Sequence, residues 1–105
     1  MHADFDKLEH IMGEHVIDRH GHRIGTVAQV ALEPQTFRAE WLVLKTSRFG
    51  HRPRLVPIEA AVDEGRAISV PFSKEMVLCA PVPAVPTSPA GSEITALHQH
   101  YHVAA

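Results

Sequence analysis

The chain has 105 residues, 45% of them hydrophobic and 21% charged, which bounds it to one domain of modest size and ordinary globular composition. A formal net charge of −2 lacks the broad basic face that strong general affinity for nucleic acid needs, and leaves room only for a local basic patch. The single cysteine, Cys79, excludes an intrachain disulfide and suits a reducing cytoplasm, and no run approaches the roughly 18 apolar residues of a membrane span. The opening MHADFDKLEH is acidic and has no apolar h-region, so it does not read as a signal peptide. Nine histidines make the net charge sensitive to pH near about 6.5.

Residues 1–9 read as a hydrophobic strap. Phe5, Leu8 and Met12 recur at i, i+3, i+7, the spacing of one helical face, over a piece too short to weigh heavily. Gly13 ends it. Residues 14–18 form a first short strand around Val16 and Ile17, and residues 19–23 turn about Gly21, which is free to take positive φ. Residues 24–33 make a second strand whose alternation slips. Ile24, Val27, Val30 and Leu32 cannot share one face at period two, so a β-bulge is expected near Ala28 and Gln29. Residues 34–37 close the next turn, and Pro34 stops the ladder.

Two apolar runs follow, Trp41 to Leu44 and Leu55 to Ile58, separated by a basic link that holds Gly50 and Pro53. Aromatic and branched side chains suit a pleated, half-buried surface, so residues 40–61 read as a long-looped hairpin at the centre of the fold. Residues 60–65 are an acidic turn with Asp63, Glu64 and Gly65 at its tip. Residues 67–71 are a fifth strand in which Ile68 and Val70 point one way. Residues 73–80 fit either a helical turn or a closing strand. Beyond them Pro81, Pro83, Pro86 and Pro89 mark a semi-extended linker over residues 83–91. Ser92 is expected to cap a final helix over residues 92–105, with Glu93 favoured by the helix dipole. Ile94, Leu97 and Tyr101 line one face of it at i, i+3, i+7. A helix this short does not persist alone in water, so it must dock, on its own domain or on another chain. Five or six short strands in so few residues predict a strongly curved, closed or nearly closed sheet.

At this point the residues carry a resemblance. Gly13-x-x-Val16-x-Asp18-x-x-Gly21, Ile24-Gly25-x-Val27, Glu40-Trp41-Leu42-Val43, Leu55-Val56-Pro57, Val70-Pro71 and Cys79-Ala80-Pro81 follow one another as in the PRC-barrel family. That family is similar to the cytoplasmic domain of the photosynthetic reaction-centre H subunit and to the carboxy-terminal domain of the ribosome-maturation protein RimM. The resemblance covers roughly residues 10–82, and the tail helix after a proline-rich linker looks like small stand-alone bacterial members. It implies a binding and assembly module with no enzymatic activity and no cofactor. The H subunit's transmembrane helix and RimM's further domain are not read in this chain, so those relatives' particular roles are not carried over.

The candidate chemistry is sparse. Lys45, Arg48, Phe49, His51, Arg52 and Arg54 form the best candidate partner-binding patch, since arginine with interleaved aromatic rings can contact RNA or an acidic protein face. The plainer reading is a solvated hairpin tip whose arginines pair with Asp63 or Glu64. His98, His100 and His102 are weak metal candidates: on a helix only His98 and His102 share a face, and a full site needs a third or fourth ligand. Cys79 reads as a small buried hydrophobe, Trp41 as core, and Asp63-Glu64 as a turn rather than a catalytic pair. No serine sits in a nucleophile-elbow context and no glycine pattern makes a phosphate loop.

The sequence therefore predicts an all-β, PRC-type barrel over residues 10–82, a strap, a proline-rich linker and a docking helix. The expected role is a cytoplasmic, non-enzymatic adaptor that binds a protein partner or itself, with Ile94, Leu97 and Tyr101 as the docking or dimer helix. Exchange of that helix between two copies would make a homodimer. An RNA- or ribosome-associated protein acting through the 45–54 loop, and a histidine-rich metal-binding protein, are the alternatives.

Overall fold

The computed structural model describes residues 8–46 and 52–104. A single helical turn, α1 (Leu8–Ile11), comes first. Ile11 is buried and Met12 is exposed, so Met12 does not face inward as the i, i+3, i+7 spacing expects, and Phe5 lies outside the described residues. Gly13, at φ 82°, breaks the turn and donates its N–H to Val27 O at 2.8 Å, which swings the chain onto the sheet.

The sheet has six strands: β1 (His15–Ile17), β2 (Arg23–Leu32), β3 (Ala39–Lys45), β4 (Arg54–Pro57), β5 (Val62–Asp63) and β6 (Ile68–Ser69). Their spatial order is β4-β3-β2-β1-β6-β5, antiparallel throughout except for the parallel β1–β6 pair. The bulge expected from the slipped alternation is present. Val27 faces Leu44 and Gln29 faces Val43, so Ala28 is the extra residue. A second irregularity between Ala31 and Leu32 turns Leu32 outward, where it is exposed.

The sheet is not closed, contrary to the closed or nearly closed barrel expected from strand number. β4 and β5 lie at opposite ends of the ladder and do not pair. The reason is local. A 3₁₀ turn, Ile58–Ala60, follows β4 directly, and β5 is only two residues long. Yet Pro57 and Val62 are five peptide steps apart, which span at most about 18 Å. The two edges are therefore drawn together by the chain itself, and the sheet is curled around one core.

That core includes Val16, Ile24, Leu42, Leu44, Leu55, Val56, Ile68 and Val77, each at 1% exposure or less. β3 is buried from Trp41 to Leu44 without alternation, so both of its faces are covered. Gly25 is required where β2 passes the end of β3: a Cβ there would overlap the Lys45 carbonyl oxygen and lie 2.9 Å from Thr46 Cα.

Asp18 ends β1 and is the only buried charged residue among those described, at 3% exposure. Its Oδ1 accepts the N–H groups of His20 (2.9 Å) and His22 (2.8 Å), and its Oδ2 accepts the N–H of Lys74 (2.9 Å). Lys74 opens α2 (Lys74–Leu78), so one carboxylate ties the 19–22 turn to a helix 56 positions away. Burial by itself raises its pKa, but the amides of His22, Lys74 and His20, with the His22 charge, outweigh it and hold the carboxyl below the usual range.

Residues 73–80 are settled as a helix by Ser73, whose hydroxyl accepts the Met76 N–H at 3.1 Å. This helix buries Val77, and Ala80 is buried just beyond its end. Cys79, its C-cap, points the other way and is exposed, which corrects the reading of a buried thiol.

The proline-rich segment is not a free spacer either. Pro83 and Pro89 are buried. The Glu93 carboxylate accepts the N–H groups of Ala84 (2.9 Å) and Ala90 (2.7 Å), folding the segment back on α3 (Gly91–Ala104). The helix thus begins one residue before Ser92, and Glu93, rather than Ser92, satisfies the cap. No helix among the described residues is long and apolar enough to cross a membrane.

Two outcomes are expected from these constraints. Gly25→Ala forces a backbone shift that β3 cannot make without losing register, and should cost more than about 3 kcal/mol in urea unfolding. Asp18→Asn turns one acceptor into a donor facing the Lys74 amide, and should cost about 2–3 kcal/mol. Because the folded pKa of Asp18 lies below its unfolded value, its contribution is complete well above about pH 4 and is lost as pH falls through the folded pKa. The acid limb of a stability-versus-pH curve should accordingly flatten in the Asn variant.

Candidate functional site

The C-terminal helix builds the site. Leu97 and Tyr101 are buried and Ile94 is half-buried against the core, so the predicted face docks on the chain's own sheet. The Tyr101 hydroxyl donates to the Leu55 carbonyl oxygen of edge strand β4. Its ring packs on Phe72 with centroids 4.6 Å apart. Burial pushes the phenol well above its ordinary pKa, and the nearby Arg54 charge pulls weakly the other way. His98 lies against Trp41 at 5.1 Å between centroids, and His100 Nε2 is 2.7 Å from Met76 O. The helix thereby satisfies one carbonyl of edge strand β4, that of Leu55.

Between α3 and the crossing at 57–60 lies an open groove of about 480 Å³. Its apolar lining comes from the half-buried Pro57 and the exposed Pro71, backed by the buried Ile58, Phe72 and Tyr101. Its polar rim comes from three places. Arg38 and Glu40 stand where the chain enters β3, Glu59 stands on the 3₁₀ turn, and His98 and His102 project from α3. Apolar surface inside a polar rim is the usual anatomy of a contact site.

None of the described residues of the basic patch lines this groove. Arg48, Phe49 and His51 lie outside the described residues. Lys45 and Arg52 are exposed, whereas Arg54 is half-buried, with its Nε unpartnered and its charge felt by Tyr101. Lys45 is at the far end of β3 from Ala39, about 20 Å along the strand, so Lys45 and the groove stand at opposite ends of β3. Nor do described arginines pair with the acidic turn: Asp63 accepts the Gly65 N–H and Glu64 the Ser69 hydroxyl.

The histidines divide as helical spacing requires. His98 and His102 share the groove, and His100 turns to Met76. Among the described residues no three metal-capable side chains converge. His20 and His22 stand exposed on the turn that Asp18 holds. Arg38, Glu40, Ile58, Glu59 and Phe72 escaped the sequence reading. They come from three separate segments and share no periodicity, so nothing local marks them as neighbours.

A curled six-stranded sheet, a helix docked on its edge and a groove where the two meet define a small β-rich interaction module. The PRC-barrel domain family matches residues 4–77, and the chain belongs to that family. No curated protein is similar enough to count as a match.

The Tyr101 hydrogen bond lends itself to a direct check. Tyr101→Phe strands the Leu55 carbonyl and should cost about 1–2 kcal/mol. In the wild type, ultraviolet titration should show the phenol un-ionised at pH 11 for as long as the fold persists.

Proposed function

We propose that this PRC-barrel protein is a non-enzymatic adaptor whose groove face takes a protein partner. The observation that carries the reading is the groove itself, an apolar lining of Pro57 and Pro71 backed by Ile58, Phe72 and Tyr101, inside a rim of both charge signs. Family membership supports a binding role by analogy of fold, and the groove has to carry it. The buried carboxylate of Asp18 supports it too, since all three amides it meets are structural partners. The mixed-sign rim favours a protein over RNA, whose backbone would demand a uniformly basic face.

The test is cross-linked capture from the host with the tagged full chain, with and without RNase, beside a rim variant carrying Glu59→Arg and His102→Glu. Both positions are exposed, so the variant should fold. A defined protein, this chain included, should be captured after RNase by the wild type and lost by the variant. Capture of RNA-binding proteins that disappears with RNase, or a catch indifferent to the rim, would move the site to the 45–54 loop and overturn the proposal.

A further inference from the structure

Phe37 is the one non-glycine residue at positive φ among those described, at 59°. An aromatic L-residue is disfavoured there, and glycine or asparagine is the usual occupant. The ring gains nothing from its own chain in return: it is 75% exposed, the most exposed large hydrophobic side chain described. The turn that holds it is firmly tied. Glu33 Oε1 accepts the N–H groups of Gln35 (2.8 Å) and Thr36 (2.7 Å) and the Thr36 hydroxyl (3.1 Å). The Phe37 N–H reaches Glu33 O at 2.8 Å, and the Glu33 N–H reaches Arg38 O at 2.8 Å. The hairpin thus presents a preorganised aromatic knob to solvent, in a backbone conformation that the ring opposes. Local strain at an exposed aromatic side chain points to use elsewhere.

The next residue, Arg38, lines the groove, so the knob and the groove are side by side. Phe37 does not line the groove of its own chain, whose volume of about 480 Å³ exceeds that of a phenyl ring. The rim carries Arg38 together with the carboxylates Glu40 and Glu59. One face therefore holds a knob and a socket, a cation and its counter-charges. A face complementary to itself is what a two-fold contact between identical chains requires.

We propose that a second copy of this chain docks on this face, with Phe37 of each copy seated in the groove of the other and Arg38 against the other's Glu59. Leu32, exposed and opposite Ala39 in the ladder, widens the apolar contact. The proposal rests on the reading of the groove as a protein interface and names its occupant. It needs no exchange of α3, which stays docked on its own sheet.

Sedimentation velocity on the full chain from about 1 to 200 μM tests it. The wild type should pass from monomer to dimer across that range. Phe37→Gly should melt no lower than the wild type, because glycine accepts a φ of 59°, yet raise the dissociation constant at least tenfold. Arg38→Glu and Glu59→Arg should each weaken the dimer, and the two together in one chain should restore it. A wild type that stays monomeric at 200 μM overturns the proposal, as does a Phe37→Gly variant that dimerises normally. If the chain is monomeric while the rim variant still loses a captured protein, self-docking falls and the interaction-module reading stands.

Discussion

Residues 58–61 carry the chain from one edge of the sheet to the other. Much else follows from that short crossing. β4 and β5 cannot be far apart, so the ladder between them has to curl, and curling gives the small domain a single core. The crossing is itself irregular, because a 3₁₀ turn takes the place of a further ladder pair. Ala61 closes the turn by donating its N–H to Ile58 O, and both residues are buried. The seam thus left without strand pairing is where the groove lies, and Pro57, Ile58, Glu59 and Ala60 all line it. The groove is a consequence of incomplete closure and not an addition to a finished barrel.

Two side chains supply ties that the ladder does not. Asp18 binds three backbone amides and so fixes the 19–22 turn against α2. Its negative charge is what makes the tie strong, since hydrogen bonds to an ionised acceptor exceed neutral ones. The Tyr101 hydroxyl, a neutral donor, fixes α3 to β4 with one bond and relies on Leu97 and the Phe72 ring for the rest. The difference in kind orders the two parts. α2 is held by a buried charge that resists removal above acid pH, whereas α3 is held mainly by apolar packing along one face. Pro83, Pro89 and the Glu93 cap then make the segment between them part of the fold rather than a tether.

The central hairpin separates two surfaces of different character. At one end, Lys45 and Arg52 flank the basic loop. At the other, Arg38, Glu40 and Glu59 mix both signs around an apolar floor. Uniform positive charge steers toward polyanions over a distance of a Debye length, and mixed charge selects a partner only on contact. Phe37 belongs to the second end, and its exposed ring on a tied turn is the kind of anchor that contact selection uses.

What the amino-acid order determined by itself is local or periodic. The two apolar runs of the 40–57 hairpin, the bulge at Ala28, the inward face of the final helix and the family resemblance all rest on neighbours in the chain. Residues 73–80 were ambiguous because the short apolar run Met76 to Cys79 suits either period, and a distant carboxylate, Asp18, took part in deciding it. The exposure of Cys79, the packing of Pro83 and Pro89 and the open edge of the sheet depended on what lies opposite each residue after folding. The groove was decided entirely at that level. Its walls come from the start of β3, the crossing, the segment before α2 and the last helix, and only the curl of the sheet brings them together.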